Sequence, residues 1–361
     1  MKKVMLLLCA SLYCTCSVIY SQPAASAQFV DATQLTIIGK AFPASIPFHR
    51  VDTAVYKGMS RSENQQARCS AGLAILFKTN ATYIKVFPTY KWTYKGNNMT
   101  GIAAAGFDLY IRKGDQWEFA GNGVAPDPNK EVTLVSEMDT TSKECMLYLP
   151  IYSELEGLKI GVEENATITA LSNPFKFKTI VFGSSYTQGI SASRPGMSYP
   201  MQLQRNFNLD ICNLGFSGNS KLQPYFAKML AAVKADAIVL DAFSNPSAEL
   251  IRERLPLFLD IVAKSHKDIP VIFVETIYRG NADFNNKIRA FELEKRNTAK
   301  ALMKELMQQF PNVYFIDSPL PESVSHDVTA DGTHPSDLGY FTWSENLGQK
   351  LMEILKKQKP H

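Results

Sequence analysis

What most limits the fold of this chain is a change of rhythm between Leu171 and Phe175. Ahead of it lie short runs rich in β-branched and aromatic residues: AGLAILFKT, ATYIKVFPTY, GIAAAGFDLYIRKG, QWEFAG, EVTLVSEM, ECMLYLPIY and LKIGVEE. Gly, Asn and Asp separate them at close spacing, which predicts an antiparallel β-sandwich or jelly roll over residues 28–172. IRKGDQWEF predicts a hairpin turning between Lys113 and Gln116. No stretch before Asn173 holds a helical period over three turns. Behind the break the apolar runs FKTIVFG, LDICNLG, DAIVLDAF, PVIFVETI and NVYFID alternate with helical stretches near 197–207, 222–234, 246–264, 284–310 and 335–357. Strands apolar on both faces and separated by helices imply a parallel sheet covered on both sides, over residues 176–361. In such sheets ligands bind beyond the carboxyl ends of the strands. Chemistry is therefore expected just after IVFG, CNLG and LDAF.

The N-terminus reads as a leader. Lys2 and Lys3 precede an apolar run from Val4 to Leu12, and small residues stand ahead of Gln22 and Gln28. This is the pattern of a secretory signal over residues 1–27, cleaved after Ser21 or Ala27. The apolar core is too short to span a bilayer, and Cys9, Cys14 and Cys16 lack the small residue before them that lipid attachment uses. A secreted, periplasmic or cell-surface protein is the expectation, with no stable membrane span. Three cysteines remain beyond the leader, Cys69, Cys145 and Cys212, each in its own apolar segment. An odd count of three is not a disulfide scaffold, and buried free thiols are expected. With a net charge of +4 and no Lys/Arg cluster, the chain carries no nucleic-acid footprint. No Cys/His spacing suggests zinc, so neither a metal nor another cofactor is expected.

The motif that asks for an explanation is FGSSYTQG, Phe182 to Gly189, at the end of the first buried strand of the second half. A phosphate-cradling loop needs a second glycine where Gln188 stands, and a dinucleotide fingerprint needs one where Ser185 stands. A nucleophile elbow around Ser217 fails at Asn219. A turn serine and a nucleophile both remain open for the Ser184-Ser185 pair. A nucleophile needs a base, and the chain has five histidines: His49, His266, His326, His334 and His361. His334 stands apart in DGTHPSDLGY, three residues after Asp331 and just before the last helical stretch. A nearby Asp that orients an imidazole and stabilises its protonated form is half of a triad.

At this point the second half resembles the SGNH (GDSL-type) hydrolases, whose motif blocks occur in the same order. Their Gly-Asp-Ser block matches Gly183-Ser184-Ser185, the second block's glycine matches Gly215, the third block's Asn matches Asn245, and the final Asp-x-x-His matches Asp331 and His334. Phe243 and Pro246 stand where the broader family has Gly and Asp in its third block. SRPGMSYP at 193–200 and GFDLY at 106–110 resemble a two-domain branch with an N-terminal β-domain. The resemblance implies a flavodoxin-like α/β/α three-layer hydrolase domain behind the sandwich. It implies Ser185 as nucleophile, His334 and Asp331 as base and orienting acid, and the Ser185 N–H, Gly215 N–H and Asn245 side chain as the oxyanion hole.

These residues make an exported serine esterase the leading expectation, acting through an acyl-enzyme on a small-molecule or polysaccharide ester, with a short acyl group such as acetyl on a carbohydrate. Tyr90, Trp92, Tyr94 and Trp117 are either sugar platforms or strand core. Acyl transfer to a sugar acceptor, lipid-type acyl hydrolysis and a non-catalytic carbohydrate-binding role are the alternatives on the same scaffold.

Overall fold

The computed structural model describes residues 27–42, 46–125, 127 and 130–358. The expected leader, apart from Ala27, lies outside the described residues. The first half builds two antiparallel sheets. One joins β1 (Ala27–Asp31), β4 (Ile84–Thr93), β7 (Val132–Val135) and β9 (Ser153–Glu163) in the order β1-β9-β4-β7. The other joins β3 (Ala74–Thr79), β5 (Phe107–Lys113), β6 (Gln116–Gly123), β8 (Lys143–Tyr148) and β10 (Ile168–Ala170) in the order β10-β3-β8-β5-β6. The short β2 (Thr36–Ile38) pairs with β3. The expected hairpin forms, with Lys113 opposite Gln116.

Two short helices interrupt the sandwich. The helix α1 (Arg61–Arg68) starts at a reciprocal capping box between Ser60 and Glu63. The other corrects the sequence reading. GIAAA, expected as the start of a strand, is the helix α2 (Gly101–Ala105), capped by Thr100 Oγ1 on the Ala103 N–H at 2.9 Å. An alanine run with a hydroxyl cap ahead of it favours a helical turn over a strand. This turn carries the loop 94–100 toward the second half.

The second half is a five-stranded parallel sheet of β11 (Lys176–Gly183), β12 (Leu209–Gly215), β13 (Ala237–Asp241), β14 (Val271–Val274) and β15 (Val313–Ile316). Its order, β12-β11-β13-β14-β15, is the flavodoxin-like order 2-1-3-4-5. The connections contain α3 (Ser185–Gln188), α4 (Tyr199–Phe207), α5 (Pro224–Ala231), α6 (Ala248–Ser265) and α7 (Asn286–Leu306), and α8 (Asp337–Gln358) closes the chain. Gly183 lies opposite both Gly215 and Asp241, so β11, β12 and β13 end at one level. Beside β11 the strand order reverses, and the crevice left there is where this fold binds ligands.

The halves share a core. Met146 and Tyr148 of the sandwich cluster with Tyr186, Tyr199, Tyr340 and Trp343 from the helical half. The two branch-marker motifs meet at this junction. Arg194 Nη1 donates to both carboxylate oxygens of Asp108 at 2.9 Å and to Tyr110 Oη at 2.6 Å, and the Gly196 N–H donates to Asp108 Oδ2 at 2.8 Å. The guanidinium also lies 4.0 Å from the Phe119 ring centroid. GFDLY therefore holds SRPGM, and with it the loop that leads out of α3. Among the described residues Cys69, Cys145 and Cys212 are free and buried, their thiols pushed up to about 12 by burial. No helix there is long and apolar enough to cross a membrane.

Candidate active site

The strand β11 delivers the serine pair to the crevice, and the two serines have different surroundings. Ser184 is fully buried and caps α3, its Oγ accepting from the Tyr186 N–H at 3.2 Å and donating to Asp241 Oδ2 at 2.6 Å. The Ser184 N–H, Thr187 Oγ1 and Ser244 Oγ also donate to the Asp241 carboxylate. Burial pushes the Asp241 carboxyl up, and these donors pull against it. Ser185 is the first residue of α3, and neither its Oγ nor its N–H has a hydrogen-bond partner among the described residues. A first-turn N–H is unpaired by helix geometry and is a ready donor to an anion. The free hydroxyl is on Ser185 and the anchoring hydroxyl on Ser184.

His334 and Asp331 form the expected pair. His334 Nδ1 lies 2.8 Å from Asp331 Oδ2, and Asp331 Oδ1 accepts from the Thr333 and His334 N–H groups at 3.0 and 2.7 Å. Partial burial works against the charged carboxylate. The hydrogen bonds from His334 and from Asn98 outweigh it and hold Asp331 well below the usual carboxylate range. The imidazole packs edge-on to Tyr186, ring centroids 5.6 Å apart, and Tyr186 packs in turn on Trp343. Because Tyr186 follows Ser185 directly, this contact brings the histidine loop to the start of α3.

The other histidines are occupied elsewhere. His49 is buried with its Nε2 3.3 Å from Glu154 Oε1, and desolvation lowers its pKa to about 4 against the pull of the Glu154 carboxylate. His266 Nε2 faces the Leu230 carbonyl, and His326 pairs with Asp283 rather than with its sequence neighbour Asp327.

The oxyanion donors need one correction. The Gly215 N–H donates to Asn213 Oδ1 at 2.9 Å, so it is not free for a ligand. Gly215 is glycine for packing, since a Cβ there would stand 2.1 Å from the Gln188 backbone nitrogen. Three residues on, Gly218 turns with φ +72°, has open space where a side chain would be, and its N–H has no partner among the described residues. The sequence signal for Gly218 was its place in GFSGNS, between turn-forming Ser and Asn. Asn245 Nδ2 is buried and has no partner among the described residues. The Ser244 carbonyl just before it is held by Arg279 Nη2 at 2.8 Å and Lys295 Nζ at 3.2 Å. Burial lowers the Lys295 pKa to about 8, with Arg279 adding to the effect.

The sandwich forms one wall. An open groove of about 690 Å³ runs beside the Asp331 turn, lined by Asn97, Asn98, Met99, Thr100, Ser191, Ala330 and Asp331. Of the four aromatics singled out in the sequence, Tyr90 is tied to the Ala105 carbonyl and Trp117 packs on Phe175. Trp92 and Tyr94 instead stack near-parallel at 6.4 Å, with Tyr94 49% exposed. Tyr94 leans on Tyr152, whose hydroxyl donates to Ser217 Oγ at 3.2 Å, next to Gly218. Among the described residues no cluster of three or more His, Cys, Asp or Glu side chains is placed to hold a metal ion.

Comparison with known proteins follows the two halves. Residues 27–168 match the family described as the N-terminus of SGNH-hydrolase-type esterases, and residues 176–352 match the GDSL-like lipase/acylhydrolase family. The crystal structure of a protein described as a GDSL-like lipase from Bacteroides ovatus is 40% identical, with 92% of this chain and 98% of that one covered at a TM-score of 0.88. A salicylyl-acyltransferase from a tetracycline biosynthetic pathway shares the fold at 18% identity, 91% and 97% coverage and a TM-score of 0.70. So does a family two carbohydrate esterase from Cellvibrio japonicus, at 12% identity, 93% and 100% coverage and a TM-score of 0.60. A search of curated proteins by sequence gives no match.

Proposed function

Since this chain belongs to the GDSL-like lipase/acylhydrolase family, we propose that it is an exported serine esterase that removes a short acyl group, such as acetyl, from a carbohydrate. The observation that carries the chemistry is the set of unspent donors at one end of the parallel sheet. Among the described residues the Ser185 N–H, the Gly218 N–H and Asn245 Nδ2 all lack partners, and they follow the ends of β11, β12 and β13, as does the free Ser185 hydroxyl.

In the reaction, His334 Nε2 takes the Ser185 Oγ proton as Oγ bonds to the ester carbonyl carbon. The carbonyl oxygen becomes an oxyanion facing the three donors, each worth about 2.7–4 kcal/mol in such sites. Collapse breaks the bond to the alkoxide, which leaves with the proton from His334. Water then repeats the sequence on the acyl-enzyme and frees the acid. Asp331 orients the imidazole through Nδ1 and stabilises its charged form without taking its proton. The carbohydrate half of the proposal rests on the groove, whose amide and hydroxyl lining suits a polyhydroxylated alcohol, and on the Trp92–Tyr94 stack, whose Tyr94 is exposed.

The test is a panel of acetylated sugars and p-nitrophenyl esters of increasing chain length, run with a fluorophosphonate probe. The expected result is labelling at Ser185, fastest turnover on acetyl esters of sugars, and loss of nearly all turnover in Ser185→Ala and in His334→Ala. The double variant should lose little more, because the two act as one unit. Preference for long acyl chains would replace the carbohydrate ester with a lipid, and acyl-sugar products from added sugar would make the enzyme a transferase. A wild-type protein that the probe does not label would overturn the serine mechanism.

A further inference from the structure

Asn98 belongs to the sandwich half, yet its side chain reaches the pair proposed to carry the base. Its Nδ2 donates to Asp331 Oδ2 at 2.9 Å and stands 3.3 Å from His334 Nδ1. Since Nδ1 lies 2.8 Å from the same Oδ2, the imidazole N–H and the Asn98 amide share one carboxylate oxygen. The opposite amide orientation would aim the Asn98 carbonyl oxygen at that carboxylate, so the orientation with Nδ2 inward is fixed by charge. The segment itself is braced at both ends. The Tyr94 N–H bonds to the Tyr152 carbonyl at 2.9 Å, and Thr100 both caps α2 and donates to the Ser193 carbonyl at 2.5 Å.

We propose that Asn98 is a positioning residue of the esterase, supplied by the N-terminal half to set how strongly Asp331 holds the His334 imidazolium; this rests on the Ser185–His334–Asp331 reading. The physical reason is competition for one oxygen. A donor on Oδ2 spreads the carboxylate charge and weakens its hold on the protonated imidazole. The other groups facing the imidazole are Asp331 on its own turn and the uncharged Tyr186 ring on α3. Lys95 lies on the Asn98 loop, and the Arg279 charge acts on Tyr186. None of these changes in the variants below.

The experiment is the pH profile of kcat/KM on p-nitrophenyl acetate for the wild type, Asn98→Ala and Asn98→Asp, with fluorophosphonate labelling of each. Asn98→Ala removes the competing donor, so its acid limb should move up by about half a pH unit. Asn98→Asp keeps the shape but adds a negative charge, so its limb should move up by more than about one unit. A purely structural or groove-lining role would lower the whole curve or raise KM and leave the limb in place. Limbs within about 0.2 unit of wild type in both variants, with Ser185 still labelled, would overturn the assignment of Asn98 alone. Failure of the wild type itself to label at Ser185 would overturn the triad and this inference together.

Discussion

Replacing Ser184 by Ala tests whether the first serine of the pair is a turn residue or a structural anchor. Its hydroxyl is fully buried, donates to Asp241 at 2.6 Å and accepts from the Tyr186 N–H at 3.2 Å. A hydrogen bond to a charged partner contributes about 1.5–3 kcal/mol, and losing a helix N-cap costs about 1 kcal/mol. The sum is about 3 kcal/mol, because Asp241 keeps its bonds from the Ser184 N–H, Thr187 and Ser244. At about 2 °C per kcal/mol for a large domain, Tm should fall by about 6 °C. Turnover should drop about tenfold, since the loosened start of α3 moves the Ser185 N–H and hydroxyl, an effect of about 1.4 kcal/mol on the barrier. Scanning calorimetry and p-nitrophenyl acetate hydrolysis measure both. A variant within 1 °C and twofold of wild type would refute the anchoring argument and return Ser184 to ordinary turn chemistry.

Asn245→Ala removes a donor that has no partner among the described residues, so stability should stay close to wild type while kcat falls by about 10²–10³ with little change in KM; steady-state kinetics and a melting curve separate the two, and a large loss of Tm would mean the amide is structural. Asp108→Ala strips the carboxylate from Arg194, whose side chain is only 18% exposed, and breaking such a pair costs about 3–5 kcal/mol. Calorimetry should show that loss, and a Tm near wild type would mean that GFDLY does not brace the junction.

The sequence alone carried the architecture and the candidates for the chemistry. Short β-branched and aromatic runs between turn residues ahead of Leu171 and doubly apolar strands behind it pointed to the sandwich and the parallel sheet, because burial writes itself into local composition and hydrophobicity. The order of the motif blocks, through the family resemblance, picked out Ser185, Gly215, Asn245, Asp331 and His334 as candidates. What the sequence did not carry were the groups whose roles depend on partners far along the chain. Gly215 ends β12 and Gly218 lies in the turn that follows it, and only the hydrogen bond from the Gly215 N–H to Asn213 shows which donor is spent. Asp241 reads as the end of an apolar strand until the register sets it opposite Gly183, where it collects the Ser184, Thr187 and Ser244 donors. Asn98 lies 233 residues from Asp331 in a stretch that looks like an ordinary turn. Its place beside the carboxylate was decided by the packing of the two halves, since a hydrogen bond depends on position in space and leaves no periodic trace in either segment.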